Sequence, residues 1–545
     1  MEKRTILALV LSFAVLGFYP TILGFFYPDY GKTPATVVAD SAPPAAPGAP
    51  QAAGVPSAPP RLAAPSSKLE LAQDVRVKTR ELDLAFHPQG GILREVSSTA
   101  YRDAETRLPL GLISVQDDAW APLAVFFYGV PALENVDARY RVESEGQTVR
   151  MSADLAGTLA VSKTVTLGDS GDRGTFTLRL TNTGPAPLDL AYELVTGPSL
   201  LPHNSIDAQY LEANFYDAGT SKLQHLKETK DGKQKTSEGA SDWGVTKSRH
   251  FSLILRSDTS GARHTGLVRG LGRDRFAVSM VAPKTRLEPG ATLERSYTLY
   301  IGPNDINRLQ PMGLGAVVNF GKLDWIGKLL VGGLELIHGV VRNYGAAVIL
   351  LTLLINLVLF PLTRASYMSM KRMQLVQPQM NKLREKYKSE PEKLNKEMME
   401  LYRKHKVNPF GGCLPMLAQM PVFIALYVAL SKTVGLRNSE FLWIKDLSSP
   451  DIVKLPFSLI FIGDTVHVLP IIMAVAALIQ QKFTMVKIEG QDPAMEAQQK
   501  MMAVMMPLLF LFMFYSMPAG LVLYWLTNTV VMALYQYRLK NLTLS

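Results

Sequence analysis

At 545 residues the chain has room for several domains, and 47% hydrophobic against 19% charged residues is apolar for a soluble protein of this size. The formal net charge of +10 sits mainly beside apolar runs rather than along a polar groove, so orientation in a membrane and acidic lipid headgroups account for it better than any specific nucleic acid. One cysteine, Cys413, excludes an internal disulfide and a cysteine-based metal site.

In chain order, Lys3 and Arg4 precede an apolar run from Ile6 to Tyr27, longer than a signal-peptide core and followed by Phe25, Phe26 and Tyr27 where a cleavage pattern would lie. Residues 1–31 therefore read as an uncleaved signal anchor with a cytoplasmic N-terminus. Residues 32–67 are Ala, Pro, Ser and Gly with few large apolar side chains, which predicts a flexible linker.

Residues 68–303 switch to short alternating runs such as Phe176, Leu178, Leu180 and Leu188, Leu190, Tyr192, cut by turns like Asn182-Thr183-Gly184-Pro185. Period two with frequent turns predicts a large β-sandwich, placed outside the cytoplasm by the preceding anchor. Its histidines, His87, His203, His225, His250 and His264, show no metal-ligand spacing, and Lys222 to Ser241 reads as a mobile loop. Residues 304–343 then predict an amphipathic interfacial helix, with Phe320, Leu323, Ile326, Leu329 and Leu330 near helical spacing. A phosphate loop over Gly321 and Gly327-Lys328 is excluded, because the spacing is one residue too long and Leu329 replaces the required Ser or Thr.

Residues 344–363 make a second span, long enough to cross a hydrocarbon core. Inside it Thr352 and Asn356 are one helical turn apart and share a face. A polar face in lipid is unfavourable, so it turns toward other helices or water, although an interhelical hydrogen bond with no further role stays open. Residues 364–410 carry 12 Lys or Arg against 5 Glu, the excess that keeps a loop in the cytoplasm. Helix formers from Ala365 to Lys388, a capping-box spacing at Ser389-Glu390-Pro391-Glu392 and a second run to Lys406 predict a helical hairpin. Met368, Met370, Met373, Met380, Met398 and Met399 give it flexible apolar side chains, for varied partners or for its own packing.

Residues 411–545 hold four further spans, with short loops and a C-terminal tail: Cys413 to Ser431 with Pro415, Gln419 and Pro421; Val468 to Val486; Met501 to Tyr515; and Ala519 to Tyr537. An outer loop from Lys432 to His467 and an inner loop from Lys487 to Lys500 keep the inside-out alternation for six spans and put the C-terminus in the cytoplasm.

Pro361-Leu362-Thr363, then Asn408-Pro409-Phe410-Gly411-Gly412-Cys413-Leu414-Pro415-Met416-Leu417 with Gln419, Pro421, Phe423 and Ala425-Leu426-Tyr427, then Pro518 through Trp525, together resemble the YidC membrane protein insertases. The motifs cover about Tyr344 to Tyr537; the anchor, linker and β-domain extend the likeness more loosely to the form found in bacteria with two membranes. The resemblance implies a polytopic α-helical inner-membrane protein: six spans, a five-helix core with a cytoplasmic hairpin, and a periplasmic all-β supersandwich. It also implies a water-filled groove open to cytoplasm and lipid and closed on the far side, with the hairpin receiving the substrate.

Thr352, Asn356, Gln419, Thr527 and Asn528 are the expected polar lining, with Tyr427, Tyr524 and Trp525 as an apolar or aromatic surface. Where the family usually carries Arg or Lys, this chain has Asn356, which can hydrogen-bond and hydrate but cannot attract an acidic segment by charge. The implied partners are nascent inner-membrane proteins and lipids, with the Sec translocon beside them. A ribosome contact stays open, because the short tail after Tyr537 lacks the basic extension of some relatives. No enzymatic activity, cofactor or metal is expected. The competing class, a transporter or channel, finds no paired acidic residues in the spans and no evident repeat, and a membrane-anchored enzyme finds no catalytic constellation.

Overall fold

A computed structural model describes residues 74–540 apart from 104–105, 116–119, 134–137, 260–262, 274, 388, 406, 408–413, 460–462 and 485–492. The expected anchor, the linker, the stretch Asn408 to Cys413 and most of the expected loop before Pro493 lie outside the described residues.

The N-terminal part is built from antiparallel sheets of nine, six and four strands. Alternation drives it: in the strand Arg173–Asn182, Phe176, Leu178 and Leu180 are fully buried while Arg179 faces water. Each inward side chain contributes roughly 1.5–3 kcal/mol of apolar burial. The expected loop from Lys222 to Ser241 is partly sheet. Lys222–Leu226 pairs along Glu212–Asp217 at the edge of the nine-stranded sheet, and Gln234–Thr236 pairs with Thr265–Gly272. Polar strands are tolerated at such edges, and here Asn214 and His225 bond across the pair at 2.6 Å.

The C-terminal part is helical: α1 (Asp324–Val341), α2 (Tyr344–Lys386), α3 (Pro391–Lys404), α4 (Leu414–Lys432), α5 (Val468–Thr484), α6 (Pro493–Phe514) and α7 (Ala519–Lys540). Helix α1 carries two apolar stripes rather than one. Leu330, Val331 and Leu334 pack into the protein, while Trp325, Leu329, Leu336 and Val340 stay exposed. Phe320 and Leu330, expected on the membrane side, are therefore core residues.

Asn343 starts α2 by accepting the Ala346 N–H at 2.9 Å, and the helix runs unbroken past Pro361 and Pro378. The span and the first arm of the hairpin are thus one rod. Thr363 donates to the Leu359 carbonyl at 3.0 Å, so a side chain occupies one carbonyl of the proline turn. In α3 Pro391 takes the first helical position as expected, but the N-cap is Glu390 without a side-chain bond, so the expected capping box does not form. Helix α6 begins at Pro493, within the expected inner loop, because Ala494 and Glu496 to Lys500 are good helix formers. The outer loop adds an unforeseen hairpin, Val453–Leu459 with Gly463–Val466.

A second core joins the helices, with Leu334, Val348, Leu426, Phe514, Leu521 and Val522 among its members. Among the described residues, Tyr344–Met373 is the stretch long and apolar enough to cross a membrane alone, and Gln419–Lys432, Val468–Phe483 and Lys500–Phe514 are shorter apolar stretches.

Candidate functional site

The polar residues inside the apolar helices divide into two groups. On α2, Thr352 is fully buried and its hydroxyl donates to Val348 O at 2.7 Å, while half-buried Asn356 donates its amide to Thr352 O at 2.8 Å. Both side chains bond to their own helix, which satisfies their donors without a neighbour and leaves the Asn356 carbonyl oxygen free to accept. On α4 and α7 a direct bridge forms: the Gln419 amide donates to the Tyr524 hydroxyl, itself almost fully buried.

One turn further along α7, Thr527 donates to Leu523 O at 2.8 Å. Asn528 differs from all of these. Its side-chain oxygen is buried and has no hydrogen-bond partner among the described residues. An amide oxygen in an apolar interior costs about 1–3 kcal/mol when left unpaired, so this position suits water or a passing polar group.

The structure joins Gln419 to Tyr524 and pairs Thr352 with Asn356 through the backbone of α2. No hydrogen bond among the described residues links the α2 pair to Gln419 or Asn528. Aromatic contacts fill the space around the bridge, with Phe423 edge-on to Trp525 at 5.1 Å and Phe514 tilted over Trp525 at 5.1 Å. Trp525 is thereby a packing residue as much as a surface.

A further group was not anticipated. On the same side of α2, two to three turns beyond Asn356, Thr363 and Ser366 are buried and Tyr367 stands edge-on to Tyr535 of α7 at 5.7 Å, with Phe360 against the same ring at 5.2 Å. Positions 352, 356, 363 and 367 step by about one, two and one helical turns, which keeps them on one face and extends the polar stripe past Pro361.

In the hairpin, Val376, Met380 and Val407 form a small buried cluster, with Met373, Met398, Leu401 and Tyr402 packed against it. Met399 is 55% exposed and Met368 is half-buried; the side chain of Met370 lies outside the described residues. The methionines therefore divide, some closing the hairpin and Met399 facing out.

Comparison with known proteins agrees along the chain. A family described as 60Kd inner membrane protein matches residues 336–544, and one described as YidC periplasmic domain matches residues 74–332. The membrane protein insertase YidC of Geobacter metallireducens is 33% identical over 98% of this chain and 98% of its own length. That of Syntrophus aciditrophicus is 32% identical over 99% of this chain and 100% of its own. A solved structure of an active YidC insertase with its first transmembrane domain resolved covers 87% of this chain and 94% of its own at 20% identity, with a TM-score of 0.35. With identity above three in ten along nearly its whole length, this chain belongs to the YidC family of membrane protein insertases.

Proposed function

We propose that the chain moves the polar segment of a nascent inner-membrane protein along Thr352, Asn356, Gln419, Tyr524, Thr527 and Asn528, while the apolar segment leaves sideways into lipid. The observation that carries this reading is the buried, unpartnered oxygen of Asn528 on α7, beside Thr527 and one turn from Tyr524. A charged side chain costs about 2.5–3.5 kcal/mol at the centre of a span, so a polar path that admits water shortens the distance over which the tail lacks it. Burial of the substrate's own apolar helix returns roughly 25 cal/mol per Å², and the membrane potential adds roughly 2.3 kcal/mol per charge per 100 mV. No nucleotide is required by this scheme, and the reading is non-enzymatic.

In this reading the chain has six spans, with both termini in the cytoplasm and the β-sandwich in the periplasm. The basic hairpin meets the substrate first, through Met368, Met370, Met373, Met398 and Met399, and the Sec translocon and the ribosome are candidate neighbours. Asn356 replaces electrostatic attraction by hydration. Substrates are then selected less by acidic charge than by polarity.

Protease protection of a short radiolabelled membrane protein, synthesised beside sealed proteoliposomes, tests this. The natural chain should protect well above empty vesicles, Asn356→Leu should protect several-fold less, and Asn356→Arg should favour substrates with acidic tails. Equal protection by the natural chain and Asn356→Leu would remove Asn356 from the path.

A further inference from the structure

We infer that Arg249, a residue of the β domain, is a positioning residue for the groove: its guanidinium staples the outer end of α4 to the loop that caps α7. Arg249 stands in the turn between the strands Trp243–Lys247 and Phe251–Ser257 and is 2% exposed. Its Nε donates to Ser431 O at 2.6 Å and its Nη2 to Ser448 O at 2.7 Å.

The first carbonyl lies on the helix that carries Gln419, and the second on the loop that caps the helix carrying Tyr524. Ser431 lies in the last turn of α4, where carbonyls lack intrahelical donors and a cation is favoured by the helix dipole. Ser448 belongs to a loop whose neighbouring carbonyls receive the first N–H groups of α7, Ala519 on Ser449 O and Gly520 on Leu447 O, both at 2.8 Å. Asp446 braces that loop by accepting from Ser448 N at 2.8 Å and Ser448 Oγ at 2.7 Å. One planar group thus reaches the C-terminus of one groove helix and the cap of the other. An arginine can do this because its donors point in fixed, different directions, whereas a lysine ammonium is a single point.

The surroundings hold the guanidinium in place. Asp207, 3% exposed, has one carboxylate oxygen 3.5 Å from Arg249 Nη1 and the other 3.7 Å from Arg437 Nη1. His250 lies 3.5 Å from Arg437 Nη1, and burial, with Arg249 and Arg437 beside it, holds the imidazole neutral. Nearby, Lys432 donates to Asn319 O at 3.0 Å and Lys247 to Val317 O at 2.7 Å, fixing the segment before α1 to the same junction. The β domain is therefore clamped onto the helices through main-chain carbonyls, which do not vary with side-chain identity. Since α4 and α7 meet again at Gln419 and Tyr524, an angle set at the staple sets the groove's width.

The experiment uses the full chain in proteoliposomes, with Cys413→Ser and nitroxide labels at Met420→Cys on α4 and Val530→Cys on α7, both exposed positions. Pulsed electron paramagnetic resonance reads their separation without substrate. The natural Arg249 background should give one narrow distribution. Arg249→Ala should broaden it at least twofold and lower insertion about fivefold, with crosslinking of substrate to the hairpin unchanged. Arg249→Lys, which keeps the charge but reaches one carbonyl, should fall between. It also decides the matter if the Ala variant does not fold. A distribution of natural width in Arg249→Ala, or in Arg249→Lys, overturns the staple whatever the insertion yield. The expected loss of insertion rests on the groove reading above: a broadened distribution with unchanged insertion upholds the staple and overturns the groove instead.

Discussion

The β domain holds a buried ammonium and a buried amide with every polar atom bonded, whereas the helical core leaves a buried amide oxygen open. In the β domain Lys163 is fully buried, yet its Nζ donates to Gly90 O at 2.8 Å, Gly91 O at 3.0 Å and Leu123 O at 2.8 Å and sits 4.5 Å from the Tyr140 ring centre. Asn182 is equally buried, and its amide donates to Ala186 O and Leu287 O while its oxygen accepts from Gly184 N. Hydroxyls such as those of Thr196 and Ser279 and single atoms of charged groups such as Asp83, Asp207 and Arg269 lack hydrogen-bond partners there too, so among the described residues the difference lies in the side-chain amides. In the helices the Asn528 oxygen has none, and Asn356 bonds its own backbone. Saturated groups hold a fold together; an open one is available to something that comes and goes.

The largest effect should come from the saturated side. Lys163→Met keeps the volume but leaves three carbonyls without a donor, which should cost about 3 kcal/mol or more and move the urea midpoint of the β domain, read by its tryptophan emission in the full chain. The pH dependence sharpens this. Burial pushes the pKa of Lys163 down to about 7, well below its unfolded value near 10.4, so between these the unfolded chain binds more protons and stability rises with pH. Below about pH 7 both states are protonated and the contribution is flat. Lys247, pushed by burial down to about 8, acts with the same sign. Melting at pH 7, 8 and 9 should therefore rise in the natural chain and rise less steeply in Lys163→Met; parallel slopes would show that the ammonium is not the titrating group.

The open side should respond in the opposite sense. Asn528→Leu removes a polar atom that bonds to nothing, so stability should stay within about 1 kcal/mol, while insertion of a substrate with a charged tail should fall about tenfold, or roughly 1.4 kcal/mol. A variant that unfolds would place Asn528 with Lys163 as a structural group. One that inserts normally would leave the groove reading without the observation that carries it.

What the sequence made legible follows from how local each signal is. The alternation at Phe176, Leu178 and Leu180 and the apolar length of Tyr344 to Thr363 are properties of neighbouring residues, and a strand and a span follow from them. Thr352 and Asn356 share a face by helical spacing alone. The bond from Gln419 to Tyr524 joins positions 105 residues apart, and no local pattern announces it. Arg249 was less visible still, because a lone arginine in a turn looks like a solvated surface residue until the ends of α4 and α7 close over it. The edge strand Lys222–Leu226 is hard to read because its polar residues mimic a loop, although the strand that orders it, Glu212–Asp217, directly precedes it.

The hairpin carries the same contrast at smaller scale. Met380 is buried against Val376 and Val407, with Met373 and Met398 beside it, whereas Met399 points out with little to hold it. Met399→Ala should leave the hairpin's helicity and protease resistance as they are, since exposed substitutions usually change stability by less than about 0.5 kcal/mol. Its effect should appear only in capture, as about a twofold drop in photocrosslinking between the hairpin and a stalled apolar segment, because one flexible thioether among several contributes a small part of an adaptable surface. Met380→Ala should lower crosslinking by a different route, loosening the hairpin and raising its cleavage by protease. If Met399→Ala loosens the hairpin in the same way, the outward face is structural and capture must begin elsewhere on the basic loop.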